Sequence, residues 1–280
     1  MPAIAINGCA IHYELLGTGP SLVLTPGGRG GMDFVRPLAQ RLAARHRVLI
    51  WDRRNCGKSD LWFGASPSEQ EIWADDLAYL LRALDLAPAV VTGGSAGARL
   101  SLVTALRHPE VVRALALWSV SGGPYACQVL GYDYHVPFIK AAEAGGMEAV
   151  AKTPFFAERI AMNSGNRARL LAVNPADFIG VIHRWNTFFY HRHDCPVIGI
   201  THQELATVLA PTLVFAGNDD IHPASASDAI ARACPNVTAA PPAWSREEFT
   251  AKITGVVPGG VMSLWERVAP TVLAFTAKLK

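Results

Sequence analysis

The pentapeptide Gly93-Gly94-Ser95-Ala96-Gly97 constrains this chain more than any other stretch. It matches G-x-S-x-G and lies between an apolar run, Ala89-Val90-Val91-Thr92, and a helical pattern that His108-Pro109 stops. A strand that turns directly into a helix holds its serine in a strained backbone conformation. Such a turn demands small neighbours where the two elements meet and leaves the hydroxyl projecting outward. The helix adds N–H groups and the positive end of its dipole to any oxyanion formed there. Ser95 is therefore expected as a nucleophile; a glycine-rich turn with Ser95 as helix N-cap is the plainer alternative.

The rest of the chain alternates strands and helices around that turn. Residues 3–15 alternate loosely up to Gly17-Thr18-Gly19-Pro20, which reads as a hairpin into the strand Ser21–Thr25. Residues 33–45 have helical spacing and lead to the apolar strand Arg47–Trp51. Ser68 with Glu71 forms a capping box, after which Trp73, Leu77, Leu80, Leu81 and Leu84 share one face until Pro88. A buried strand is expected over residues 112–120. Alternation at this spacing predicts an α/β fold, a mostly parallel twisted sheet with helices on both faces. From about residue 122 to 203 the strand signal gives way to aromatic, histidine-rich sequence, and it returns at residues 211–216. The expected division is a core of residues 1–121 and 206–280 with an inserted helical cap at 122–205 over the strand ends.

Two further loops bear on the chemistry. In Thr25-Pro26-Gly27-Gly28-Arg29-Gly30-Gly31 a backbone free of side chains can bring an N–H toward the serine, so the Gly28 and Ala96 N–H groups form the expected oxyanion hole. Arg29 receives a substrate carboxylate if it faces the pocket, and is otherwise a solvated loop arginine. Gly57-Lys58-Ser59 suggests a phosphate loop, yet Asp52 stands where that loop needs its first glycine.

Together these segments resemble the α/β-hydrolase fold family over nearly the whole chain apart from the cap, with Asp52, Arg54, Gly57 and Ser59 fitting its D-x-R-x-x-G-x-S segment. The wording of Gly27-Gly28, residues 55–59 and Gly93-Gly94-Ser95 is most similar to the proline-iminopeptidase branch, with Pro26 in place of a histidine and Arg29 in place of a proline. The resemblance implies an orienting carboxylate after the next-to-last strand, in a G-x-x-D pattern. Gly217-Asn218-Asp219-Asp220 assigns it to Asp220, with Asp219 as the adjacent alternative.

The resemblance also implies a histidine roughly 25–35 residues beyond that acid. There is none, because the nine histidines end at His222. A serine hydroxyl needs a base within hydrogen-bond reach. His222 is the leading candidate; a cap histidine among His135, His183, His191, His193 and His202, or acid-base work by Glu247 without acylation, are the competing solutions.

His191-Arg192-His193-Asp194-Cys195 carries zinc-ligand residue types, but the spacing is too tight for three of them to converge, so no metal is expected. Trp185, Phe188, Phe189, Tyr190, Tyr132 and Tyr134 are dense enough to line an apolar pocket or to fill the core of the cap; Trp185 and Tyr190 are singled out as substrate contacts. With a formal charge of +2 and no run of like charges, nothing marks a nucleic-acid or anionic-membrane surface. The first residues lack a basic segment followed by a long apolar core, and five scattered cysteines read as reduced thiols, so a cytoplasmic protein is expected. The expected function is cofactor-independent hydrolysis of a small ester, amide or related carbonyl compound. The alternatives are a lyase or isomerase using Ser95 as a hydrogen-bonding group, or a binding protein on the same fold. A homodimer is left open.

Overall fold

The computed structural model describes residues 2–190, 195–258 and 260–279. Eight strands form one sheet: β1 (Ala3–Ile6), β2 (Cys9–Leu16), β3 (Ser21–Thr25), β4 (Arg47–Trp51), β5 (Ala89–Gly94), β6 (Val112–Trp118), β7 (Thr212–Phe215) and β8 (Val237–Ala240). Their order is β1-β2-β4-β3-β5-β6-β7-β8, with β1 and β2 antiparallel and the pairs from β4 to β8 parallel. The hairpin lies earlier than the sequence suggested. Asn7 and Gly8 both adopt positive φ, at 47° and 79°, as a tight two-residue turn requires. β2 consequently pairs with β4 rather than β3.

Helices α1 (Arg36–Leu42), α2 (Glu69–Ala83) and α3 (Ala96–Arg107) follow β3, β4 and β5. The Ser68 hydroxyl accepts from the Glu71 N–H at 3.1 Å and starts α2 where the capping signal lies. Between β6 and β7 come α4 (Gly123–Ala151), α5 (Pro154–Met162), α6 (Gly165–Leu171), α7 (Pro175–Tyr190) and α8 (His202–Ala206). Helix α4 is broken at Gly145 and Gly146, where the backbone leaves helical geometry. Then α9 (Ala224–Ala233), α10 (Arg246–Ile253) and α11 (Ala269–Thr276) complete the chain.

Both faces of the sheet are buried. One carries Val23, Leu49, Val91 and Leu115 against α2 and α3; the other carries Leu24, Ile50, Val90 and Ala116 against α1, Trp265 and α11. Helices α4 to α7 have an apolar cluster of their own, centred on Phe138, Phe156, Phe178 and Trp185. Among the described residues no helix is long and apolar enough to cross a membrane, and no disulfide is formed.

Candidate active site

The geometry begins at the elbow. Ser95 sits at φ 56°, ψ −118°, a conformation costly for any residue with a Cβ, and its N–H is held by the carbonyls of Ser119 and Trp118 at 3.0 and 3.2 Å. The flanking glycines are sterically required. A Cβ on Gly97 would lie 2.4 Å from the Thr25 carbonyl oxygen, and one on Gly94 2.2 Å from Trp118 Nε1. Strand β5, helix α3 and the end of β3 approach this closely only because those side chains are missing.

The neighbouring loop is fixed by the Asp52 carboxylate, which accepts from the N–H groups of Met32 and Lys58 at 2.7 and 2.8 Å. The Lys58 N–H that would face a phosphate in a nucleotide loop is thus directed at an internal carboxylate. Gly28 adopts φ +51° and lines the cavity beside Ser95. Among the described residues neither its N–H nor that of Ala96 has a hydrogen-bond acceptor, so both are free to donate to a ligand.

Opposite Ser95, the turn after β7 brings its histidine inward. His222 Nε2 lies 3.0 Å from Ser95 Oγ, while Nδ1 is 3.0 and 3.1 Å from the two carboxylate oxygens of Asp219. The expected carboxylate was Asp220, and here the structure differs. Asp220 turns to solvent and pairs with Arg246 at 2.7 Å. Asp219 Oδ1 instead accepts the N–H groups of Ile221 and His222, both at 2.9 Å, which closes the turn on itself and points the carboxylate at the imidazole. Burial pushes the Asp219 carboxyl up, but the hydrogen bonds and charge of His222 with those two N–H groups outweigh it and leave it below the usual carboxylate range. An ionised Asp219 accepts a hydrogen bond from Nδ1–H, which keeps the proton on Nδ1 and leaves Nε2 as acceptor for the Ser95 hydroxyl.

The region where a later histidine was sought holds Phe249 instead. The Ser245 hydroxyl and Glu248 side chain cap α10 reciprocally, and Phe249 packs edge-on against the His222 ring at 5.6 Å between centroids. Of the other candidate bases, His135 is buried against the Gly131 carbonyl at 3.0 Å, while His183, His202 and Glu247 are exposed. His191 and His193, with Arg192 and Asp194 of the weighed zinc motif, lie outside the described residues. Among those described, no group of His, Cys, Asp and Glu could hold a metal ion.

The cavity in front of Ser95 has a volume of about 250 Å³ and is mainly apolar, walled by Tyr134, Ile221, Phe249, Met262 and Trp265. The singled-out substrate contacts are not part of that wall. Trp185 is in the core of the α4–α7 cluster beside Phe63, since its large apolar ring has more to cover there than at a pocket edge. Tyr190 lies at a surface and donates to the Gln128 carbonyl at 3.3 Å. Arg29 is buried, ion-paired with Glu69 at 2.6 Å and ringed by Tyr134, Phe138 and Phe155. Tyr134, first noted only as one aromatic among several, is the one whose hydroxyl faces Gly28, 3.5 Å from where a Cβ would stand.

Comparison with known proteins agrees with this architecture. The family model described as alpha/beta hydrolase fold matches residues 20–148. The chain is 29% identical over 259 residues to "Putative carbamate hydrolase RutD" of Azorhizobium caulinodans, covering 90% of this chain and 93% of that one. It is 30% identical over 124 residues to "Serine hydrolase BPHL" of Mus musculus, covering 42% of each. Among solved structures, the enol-lactonase of Burkholderia xenovorans LB400 superposes with a TM-score of 0.62 at 22% identity, covering 99% of this chain and 100% of that one. With sheet order, elbow and these matches in agreement, the chain has the α/β-hydrolase fold.

Proposed function

We propose that the protein is a cofactor-independent serine hydrolase acting on a small ester, amide or related carbonyl compound, carbamates included. The observation that carries this reading is the continuous contact from Asp219 through His222 to Ser95, at 3.0 Å on each side of the imidazole. Hydrolase names among the relatives support the reaction class, and the carbamate in the RutD name supports a small acyl group.

Ser95 Oγ attacks the substrate carbonyl carbon while His222 Nε2 takes its proton, and Asp219 stabilises the imidazolium that forms. The Gly28 and Ala96 N–H groups bond the oxyanion of the tetrahedral intermediate. Its collapse breaks the bond to the leaving group, which departs with the proton from His222. Water then repeats the sequence on the acyl-serine, freeing the acid and restoring the Ser95 hydroxyl. Helices α4 to α7 act as the cap over this site, and the small apolar cavity favours short acyl chains.

Labelling with a fluorophosphonate, read by intact mass, tests the reading. One adduct is expected on the wild type, none on Ser95→Ala, and labelling slowed by at least ~100-fold on His222→Ala. Labelling of Ser95→Ala at the wild-type rate, or no adduct on the wild type, overturns it.

A further inference from the structure

Just past the carboxyl end of β4 and one turn into α3 stand two arginines with no acidic partner among the described residues. Arg53 and Arg99 are each 0% exposed. Arg99 reaches only the neutral Ser121 hydroxyl, and its Nε and Nη2 have no hydrogen-bond partner. Arg53 donates to the Gly30 carbonyl at 3.2 Å, and its Nε and Nη1 are likewise without partner. Aromatic faces support both, with Arg99 5.3 Å from the Phe189 ring and Arg53 4.5 Å from that of Trp73.

The nearby carboxylate is not available to them. Arg29 neutralises Glu69, which also accepts from Asn55 at 3.1 Å, so that carboxylate is already engaged. Cation–π contacts offset only part of the cost of burying an unpaired charge. The same field reaches His135, whose imidazole is pushed down to about 3 by burial and by the charges of Arg29 and Arg99. Buried guanidinium donors without partners suit a carboxylate, because the planar fork matches two carboxylate oxygens at once.

We propose that Arg53 and Arg99 form a buried anion subsite that takes a carboxylate of the substrate, so that the protein hydrolyses esters or amides of a dicarboxylic or otherwise carboxylate-bearing acid. This deepens, and rests on, the serine-hydrolase reading above. Neither arginine lines the cavity directly: Tyr134 lines it at Gly28, and its ring lies 6.0 Å from Phe189, which in turn covers Arg99, so these two rings must turn aside to admit a carboxylate. Arg99 stands one helical turn beyond Ser95 on α3, so a short acyl chain attacked by Ser95 can direct its far end past Tyr134 to the arginines.

The test compares p-nitrophenyl butyrate with mono-p-nitrophenyl glutarate, which differ by a terminal carboxylate, on wild type, Arg99→Met, Arg53→Met and Arg99→Lys. The readout is the ratio of kcat/KM for the two esters. Wild type is expected to favour the hemiester, and each methionine variant to lower the ratio roughly 30-fold or more, mainly through KM. Arg99→Lys, which keeps the charge, should retain most of the preference. An unchanged ratio in both methionine variants overturns the proposal, as does a wild type that prefers the neutral ester. If Arg99→Met does not fold by circular dichroism, Arg53→Met and Arg99→Lys decide. If instead inorganic phosphate or chloride raises the wild-type Tm through Arg99 while the hemiester has no advantage, the site holds a free ion and the substrate assignment falls. Failure of the serine reading is separable, because Ser95→Ala still allows glutarate binding to be measured by calorimetry. Binding there that Arg99→Met abolishes supports the subsite without any turnover, and no binding removes it.

Discussion

Asp219 and Asp220 are chemically identical neighbours whose surroundings divide them. One carboxylate is buried against His222 and two backbone N–H groups, the other is exposed beside Arg246. Asp219→Asn should therefore lower kcat/KM on a short p-nitrophenyl ester by about 10³–10⁴, since the amide stabilises the wrong imidazole tautomer and no imidazolium. Asp220→Asn should stay within about twofold, because an exposed ion pair contributes little. Equal losses in the two variants would remove Asp219 from the relay. The motif G-x-x-D pointed to the wrong one of the pair because the choice depends on the backbone dihedrals of the turn, which residue types alone do not specify. His222, by contrast, was legible by elimination and chain position, and it is the residue that meets Ser95.

The elements that sequence reading located best are those with local causes. Helix α2 starts at its Ser68 N-cap, and the turn at Ser95 has the two glycines whose absent side chains let it pack against Trp118 and the end of β3. Gly97→Ala should destabilise by at least ~1–3 kcal/mol in urea unfolding, since the new methyl would press on the backbone oxygen of Thr25 and not on a movable side chain. Ser245→Ala, which removes the cap of α10, should lower stability by about 1 kcal/mol and loosen Phe249 on His222; a wild-type urea midpoint would contradict it. Elements held by distant contacts were less readable. Trp185, Tyr190 and Arg29 carry the right chemistry for a pocket, yet whether an aromatic helix turns its rings inward or toward a ligand is settled by partners such as Phe63 and Glu69, far along the chain.

Across the molecule, pH should act on stability through the buried cationic region. His135 is neutral when folded, with its imidazole pushed down to about 3, whereas the unfolded chain binds that proton near pH 6.5. Between those values the unfolded state holds more protons, so stability falls with acidification by roughly 1 kcal/mol per pH unit. Asp52 and Asp76, whose carboxyls burial pushes up, take up protons in the folded state first and oppose that trend toward its acid end. Asp219, held low, adds its own loss below the ordinary carboxylate range. His135→Gln should flatten the slope between about pH 6 and 4 in urea titrations; an unaltered slope would show that His135 is protonated in the folded state.

Asp219 and His222 share a single short turn after β7, so the proposed mechanism asks no proton transfer of the chain beyond it. Phe249, Ile253, Val261, Met262 and Trp265, all beyond that turn, contribute cavity wall. That stretch is a replaceable rim: it can be rewritten, by drift or by grafting, to admit a different acyl group while the reacting atoms keep their positions.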